Sequence, residues 1–154
     1  MKKFNIKYFI PVTIVILFLI FFSQVLNRDV SKLSSQLIEK PIPTFNMPTL
    51  FNDDQSFNTS DVAEKNVALV NIWASWCIPC RSEHEILMIL SKIEGLNLYG
   101  INYKDNKENA LKFIEQLGNP YNKIGADING RSSMVWGVYG VPETFIIHKG
   151  TVIY

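Results

Sequence analysis

Cysteine and histidine are scarce in this chain of 154 residues, which contains two of each. A zinc site that used both cysteines would find only His84, one helical turn beyond Cys80, and the distant His148 as further ligands. The formal net charge is only +1, and no basic cluster occurs apart from lysines near the N-terminus. Nothing therefore indicates a nucleic-acid-binding surface. Internal repeats and low-complexity segments are also absent, so we expect one folded domain.

The two cysteines are the most informative feature of the sequence. They stand two residues apart in the run Trp76-Cys77-Ile78-Pro79-Cys80, which follows a strand-like segment and begins a helix-like one. Backbone N–H groups and the dipole at the start of a helix favour a negative charge, so a thiolate can form there near neutral pH. The pattern predicts electron exchange through a reversible disulfide.

Three other uses of a close cysteine pair are less consistent with this sequence. A c-type haem attachment signal requires His after the second cysteine, where this chain has Arg81. A zinc site lacks ligands, as the histidine count shows. A structural crosslink that closes so short a loop gains little chain entropy, and the start of a helix is a reducible place for one.

The second strong feature is an apolar run over residues 9–26, preceded by lysines at positions 2, 3 and 7. As a helix, this run would be about 27 Å long, close to the hydrocarbon thickness of a bilayer. The positive-inside rule then predicts a cytoplasmic basic N-terminus over 1–8, a transmembrane anchor over 9–26 and export of the remainder. A cleaved signal peptide is the alternative, although no Ala-x-Ala-like site follows the run. Residues 27–40 are predicted to be a linker, either a short amphipathic helix or a solvated tether.

Strand-like and helix-like patterns alternate along the predicted domain, residues 41–154. A proline-rich extended segment over 41–50 and a turn over 52–55 precede three candidate helix caps, Thr59, Ser60 and Asp61. Predicted strands then cover 67–73, 96–103, 124–126, 143–148 and 151–154, and predicted helices run from the cysteines to about residue 94, over 107–117 and over 131–136. The first of these helices is expected to bury Ile86, Leu87, Ile89, Leu90 and Ile93.

This order of elements predicts an α/β sandwich with a mixed central sheet that ends in a hairpin. Because each face of such a sheet needs cover, we also expect a C-terminal helix beyond Tyr154.

Three segments of the chain resemble a known family. They are residues 67–83, which include the cysteine motif, the segment Pro41-Ile42-Pro43-Thr44-Phe45, and residues 137–145, which end in Pro142-Glu143-Thr144-Phe145. The cysteine motif resembles the active site of the thioredoxin superfamily. Together the segments resemble the membrane-anchored thiol:disulfide interchange proteins of cytochrome c biogenesis, the DsbE/CcmG group.

The resemblance implies a thioredoxin-like α/β/α sandwich, no cofactor, and roles for the residues of the motif. Cys77 would be the attacking thiol, partly exposed, and Cys80 the more buried resolving thiol. Pro142, preceded by Val141, would be the cis-proline that faces the redox pair and helps to bind an extended peptide. Pro79, between the cysteines, would influence the redox potential.

Several neighbouring residues support or modify these expectations. Asn71 occupies the position where thioredoxin carries a buried aspartate, so proton transfer must be absent or handled elsewhere, because an amide does not titrate. Glu83 and Glu143 resemble acidic groups that flank the site, and we hypothesise that one of them shifts the cysteine pKa values; the alternative is that both are solvated surface charges. Trp76 is expected to be a partly exposed partner contact, whereas His84 is expected on the helix surface or half buried, without a chemical role.

The direction of electron flow also follows from the resemblance. In an oxidising compartment outside the cytoplasm, a dithiol that receives no electrons becomes oxidised. A reductant there therefore needs a supply of electrons. The resemblance implies a protein of the bacterial inner membrane with its domain in the periplasm. It would receive electrons from a membrane thiol reductase of the DsbD/CcdA type and reduce the cysteine pair of apocytochrome c, directly or through a relay protein of haem attachment.

Three alternatives remain open at this point. A related anchored reductase could serve another exported disulfide, and a tethered module could bind peptides without catalysis. A metal carrier could use Cys77, Cys80 and His84.

Overall fold

The computed structural model describes residues 9–26 and 37–154, which fall into two compact units. The first unit contains helix α1, Phe9–Leu26, over the predicted anchor. Across the two described ranges, no helix has both the length and the apolar character that crossing a membrane requires. The predicted basic N-terminus and residues 27–36 of the predicted linker lie outside the described residues.

The second unit alternates strands and helices, as the sequence predicts. Its elements are β1 (Asn46–Pro48), β2 (Ser56–Asn58), α2 (Thr59–Ala63), β3 (Val67–Trp73), α3 (Ile78–Leu90), β4 (Asn97–Tyr103), α4 (Lys107–Leu117), β5 (Lys123–Asp127), α5 (Arg131–Val135), β6 (Glu143–His148) and β7 (Thr151–Val152). Strands β1 and β2 form an antiparallel hairpin. The main sheet has the order β5-β4-β3-β6-β7, in which β4 is parallel to both β3 and β5, and β6 is antiparallel to both β3 and β7. The predicted mixed sheet is confirmed.

Strand β3 lies at the centre of this sheet and positions the cysteine motif. Six of its seven residues are buried, as expected for a strand that is covered on both faces. One apolar cluster packs Val70 and Ile72 against the β1–β2 hairpin and Trp136. The other packs Leu69 and Trp73 with residues of α3 and α4. The chain leaves β3 directly into the cysteine motif, so the buried strand fixes where that motif lies.

The N-terminus of α2 differs in detail from the prediction. The N-cap is Asn58, whose side-chain oxygen accepts a hydrogen bond from the Ser60 N–H at 3.0 Å. Asp61 completes a capping box, since its carboxylate accepts from the Asn58 N–H at 2.9 Å. Thr59 and Ser60 are the first two helical residues, so their assignment as caps is wrong, whereas Asp61 does take part.

The buried face of α3 is the largest departure from the prediction. The helix ends at Leu90 rather than near residue 94, and Cys80, His84 and Leu87 are its buried residues. Ile86, Ile89 and Ile93 are 59%, 61% and 52% exposed, so their assignment to the core is wrong. The reason is geometric: once Cys80 points inward, residues four and seven positions later share its face, and the isoleucines do not.

Candidate active site

The cysteine motif forms a disulfide at the junction of β3 and α3. The two sulfur atoms are 2.09 Å apart, and the Cα atoms are separated by 5.3 Å. Cys77 is the N-cap of α3, and its sulfur accepts a hydrogen bond from the Cys80 N–H at 3.1 Å. Pro79 lies in the first turn, where the missing N–H of proline costs no helical hydrogen bond. The dipole of α3 and the Cys80 N–H group together favour a thiolate on Cys77 when the pair is reduced.

Both cysteines are buried, but the residues on either side of Cys77 in the chain carry exposed apolar side chains. Cys77 is 4% exposed and Cys80 is 2% exposed. The expectation that Cys77 would be partly exposed is therefore wrong in this disulfide form, because both residues pack into the apolar cluster beneath α3. Trp76 is 58% exposed, as expected for a partner contact, and Ile78 is 79% exposed. Trp76 and Ile78 therefore offer a partner exposed apolar contacts next to Cys77 in the chain.

The loop before β6 contains the predicted cis peptide bond, between Val141 and Pro142. Val141 packs against the apolar cluster that contains both cysteines. Glu143 begins β6 and pairs with Ile72 of β3, so the loop joins the sheet beside the strand that leads to the motif. The expected cis-proline is confirmed, and its loop contacts the cluster of the redox pair.

A polar network lies beneath the motif and centres on Asn71, which is completely buried. The Asn71 side-chain nitrogen donates to a Glu83 carboxylate oxygen and to the Thr144 hydroxyl, both at 2.9 Å. The Tyr121 hydroxyl donates to the Asn71 side-chain oxygen at 2.7 Å. Every polar group of the Asn71 side chain therefore has a partner. The carboxyl group that contacts Asn71 is therefore carried by α3, not by the strand.

Glu83 and Glu143 are both half-buried, so the alternative that both are solvated surface charges is wrong. Burial raises the pKa of the Glu83 carboxyl, and the hydrogen bond from Asn71 partly offsets that rise. Burial also raises the pKa of Glu143, with a smaller opposing effect from a hydrogen bond of the Tyr139 backbone. Two carboxyl groups with raised pKa values thus belong to elements next to the redox pair: Glu83 is on the helix that carries Cys80, and Glu143 follows the cis-proline at the start of β6.

Asp105 holds the turn just before the cysteines, a role that the sequence analysis missed. Its carboxylate accepts hydrogen bonds from the Ser75 N–H and, at 2.7 Å, from the Ser75 hydroxyl. The Asn102 amide and the Asn106 N–H donate to the same carboxylate, at 2.9 Å and 2.8 Å. The Trp76 indole N–H also donates to the Lys104 carbonyl of this loop, at 3.2 Å. Asp105 lies two positions after the end of β4, but a lone aspartate in a loop gives no sequence signal of such a contact.

His84 is buried, at 3% exposure, rather than at the helix surface or half buried, so its predicted location is wrong. Its Nε2 atom lies 3.0 Å from the Gly118 carbonyl oxygen, and its ring packs edge-on against Phe113. Burial lowers the pKa of His84, with a smaller opposing effect from the Gly118 contact. Throughout residues 9–26 and 37–154, no group of three or more His, Cys, Asp or Glu side chains is arranged to hold a metal ion.

Comparison with known proteins places this geometry among thiol:disulfide interchange proteins. The family model described as Redoxin matches residues 38–154. The thiol:disulfide interchange protein CycY of Rhizobium leguminosarum bv. viciae is 50% identical over 97 residues, which are 62% of this chain and 52% of that protein. The thiol:disulfide interchange protein DsbE of Pseudomonas fluorescens biotype C is 42% identical over 144 residues, which are 94% of this chain and 79% of that protein.

A solved structure is similar in fold as well. The crystal structure of a protein from Chlorobium tepidum, described as a putative thiol:disulfide interchange protein DsbE, has 25% identity and a TM-score of 0.64. The similarity covers 79% of this chain and 84% of that one.

Proposed function

We propose that Cys77 and Cys80 carry the thiol:disulfide oxidoreductase activity of this chain. The chain belongs to the Redoxin family and to its DsbE group of thiol:disulfide interchange proteins. The observation that carries the proposal is the disulfide at the N-cap of α3, where the backbone N–H of Cys80 and the helix dipole favour a thiolate on Cys77. We assign this activity to a catalytic domain over residues 41–154.

The reaction is a two-step exchange in which the partner is reduced and the chain is oxidised. The Cys77 thiolate attacks one sulfur of a partner disulfide, so a Cys77–partner bond forms, the partner's own bond breaks and one partner thiolate leaves. Cys80, deprotonated in its turn, attacks the Cys77 sulfur and releases the second partner thiolate. Both partner thiolates take up protons, and two electrons have moved from the chain to the partner. A dithiol donor must then reduce the Cys77–Cys80 disulfide.

The neighbouring residues support this cycle in different ways. Trp76 offers an exposed aromatic contact, and the cis peptide bond at Pro142 shapes the loop along which an extended partner would bind. We expect the Glu83 and Glu143 carboxyl groups to act on the thiols, since Glu83 lies one helical turn beyond Cys80 and Glu143 follows Pro142, and an ionised carboxylate raises the pKa of a nearby thiol. Glu143→Gln is therefore expected to lower the Cys77 thiol pKa, measured by the pH dependence of alkylation. An unchanged titration would remove Glu143 from the mechanism.

The acceptor we propose is the cysteine pair of apocytochrome c, reached directly or through a relay protein of haem attachment. The donor we propose is a membrane thiol reductase of the DsbD/CcdA type. Support comes from membership of the DsbE group and from the segment before Pro142, which resembles the cytochrome c biogenesis subgroup. An exported reductant needs such a donor, because an oxidising compartment does not keep a dithiol reduced.

Trapping of the mixed disulfide tests both the chemistry and the acceptor. Cys80→Ser should accumulate a covalent adduct with an oxidised peptide that carries the Cys-x-x-Cys-His segment of an apocytochrome, whereas Cys77→Ser should not. A peptide disulfide without that segment is the matched control for specificity. Equal trapping of both peptides would contradict the proposed acceptor, and absence of any adduct would contradict the exchange itself. Function that survives removal of both cysteines would instead indicate a binding module.

We further propose that α1 anchors the domain in the bacterial inner membrane, with the domain in the periplasm. Support comes from the lysines before the apolar run, and from the exposed isoleucine, leucine and phenylalanine side chains between Ile10 and Phe22. The full chain should stay with the membrane after carbonate extraction, and protease added outside spheroplasts should degrade the domain. A released protein whose N-terminal mass lacks the first residues would show a cleaved signal peptide instead.

A further inference from the structure

We infer that Tyr121 is a positioning residue, whose hydroxyl fixes the Asn71 amide so that this amide donates to the Glu83 carboxylate one helical turn beyond Cys80. The inference rests on the proposed redox cycle of the cysteine pair, and it adds a residue that controls the protonation of a carboxyl group next to that pair. It starts from the buried polar network beneath the motif.

Packing determines the position of the Tyr121 hydroxyl. The ring is buried and lies parallel to the Trp73 indole, with 6.0 Å between ring centroids and 10° between planes. The His84 ring meets it at 71°, with 6.4 Å between centroids. The Tyr121 backbone N–H is held by the Asn119 side-chain oxygen at 3.0 Å. A ring held in this way presents its hydroxyl at one place only, above Asn71.

The sheet leaves room for this tyrosine because of one glycine. Asn71 on β3 pairs with Gly100 on β4 and with Thr144 on β6, so these three residues form one row across the sheet. A Cβ atom at Gly100 would lie 3.2 Å from two carbon atoms of the Tyr121 ring. Thr144 is the other side chain of the row, and its hydroxyl accepts from the Asn71 amide at 2.9 Å. Gly100 thus leaves space for the Tyr121 ring next to Asn71, so the Asn71 amide is held by the hydroxyl of Tyr121 and by that of Thr144.

The orientation of the amide decides which form of Glu83 it stabilises. An asparagine side chain has one acceptor oxygen and one nitrogen with two donor hydrogens. Because the Tyr121 hydroxyl occupies the oxygen, the nitrogen faces Glu83 and favours the ionised carboxylate. If the amide turned over, its oxygen would face Glu83, and only a protonated carboxyl could satisfy it. Removal of the hydroxyl should therefore favour the protonated form of Glu83.

Other titratable or charged groups surround this network, and a substitution at Tyr121 leaves all of them in place. On α3 they are His84, the cysteine pair, and Arg81, whose guanidinium lies 4.9 Å from the centroid of the Phe113 ring. On β6 the group is Glu143. Burial raises the pKa of Tyr121 itself well above its ordinary value, so the phenol stays neutral and acts as a hydrogen-bond donor at any pH where Glu83 titrates.

The test is a carboxyl titration of the oxidised full chain, which needs no turnover. Glutamate labelled with carbon-13 at the carboxyl is followed by NMR as the pH changes, and Glu83→Gln identifies the Glu83 signal. Tyr121→Phe should increase the proton affinity of Glu83 about tenfold, the effect of one lost hydrogen bond to a charged group. Tyr99→Phe is the matched control, because that buried hydroxyl donates to the Asp61 backbone carbonyl and not to Asn71.

Two further variants keep the inference open to refutation. If Tyr121→Phe did not fold, Asn71→Ala would carry the test, because it removes the donor to Glu83 and should raise the proton affinity of that carboxyl in the same way. In an Asn71→Ala background, Tyr121→Phe should add no further shift. A second, equal shift would show that the tyrosine acts on Glu83 directly, and equal titrations of Tyr121→Phe and Tyr99→Phe would overturn the inference. If no peptide were trapped but Tyr121→Phe still increased the proton affinity of Glu83 as expected, only the proposed function would be refuted.

Discussion

Gly100→Ala is predicted to destabilise the domain, although alanine is usually the better residue in a strand. The added Cβ atom would lie 2.9 Å from the Trp73 indole nitrogen and 3.2 Å from two Tyr121 ring carbons. A distance of 2.9 Å is shorter than real Cβ contacts, so one of the two rings must move. Neither ring has free space, because Trp73 also packs against Phe113 at 4.9 Å and both rings are buried.

The sign of the effect depends on two opposing contributions. Overpacking a close-packed core costs about 1–3 kcal/mol. Replacing glycine by alanine within a strand returns about 0.5–1 kcal/mol, because the unfolded chain loses conformational freedom. The two contributions combine to a net loss of up to about 2.5 kcal/mol, centred near about 1 kcal/mol, in the free energy of unfolding, measured by urea denaturation of the isolated protein.

Gly140→Ala is the matched control for this prediction. No atom lies within 4 Å of a Cβ built at Gly140, and its backbone is outside the left-handed region. That substitution should leave the stability unchanged or raise it by up to about 1 kcal/mol. If Gly100→Ala were as stable as Gly140→Ala, the rings of Trp73 and Tyr121 could yield without cost, and the claim that packing fixes the Tyr121 hydroxyl would fail with it.

Two other predictions concern the surroundings of the redox pair. Asp105→Asn should reduce the free energy of unfolding by about 1–3 kcal/mol, because the charge-assisted hydrogen bonds from Ser75 to the carboxylate are lost. Asp54→Asn, at an exposed turn, is the control. Equal melting temperatures of the two variants would contradict the role of Asp105. Burial raises the pKa of Glu143 in the folded state above its ordinary value of 4.5. The free energy of unfolding therefore contains a contribution from protonated Glu143 that is fully present below pH 4.5. This contribution is lost as the pH rises through the folded-state pKa. Glu143→Gln should therefore melt higher than the parent near neutral pH and equally near pH 4, and a lower melting temperature at neutral pH would show that the sign is wrong.

The sequence predicts the elements of the domain well where their patterns are local. Strand β3 and helix α4 have the predicted bounds, because an apolar run of seven residues and a capped amphipathic segment each carry their own signals. The cis-proline was predicted only through the family resemblance, since a Val-Pro bond has no local signature of the cis form. Patterns within a single element, and likeness to a family, thus account for most of the correct predictions.

The error on α3 has a different origin. Periodicity alone favoured a stripe of isoleucines and leucines over residues 86–93, of which Leu87 is buried but Ile86 and Ile89 are exposed. The phase of the helix is set by Cys80, which must face its disulfide partner, and this covalent constraint also brings the polar ring of His84 inside. A constraint at the start of a helix outweighs the apolar pattern along it, so a predicted cysteine pair should be used to set the phase of the helix that follows.

The buried polar network could not be predicted from sequence, because its members are far apart along the chain. Tyr121 and Asn71 are separated by 50 positions, and Thr144 and Asn71 by 73. The resemblance to thioredoxin implies only that an amide stands where that family carries an aspartate, which leaves open where a titratable group would be. In the fold, Asn71 lies between a hydroxyl donor and the Glu83 carboxylate, and it cannot itself gain or lose a proton. The amide therefore favours the ionised carboxylate and partly offsets the rise in the Glu83 pKa that burial causes, while the proton-accepting group belongs to the helix that carries the cysteines.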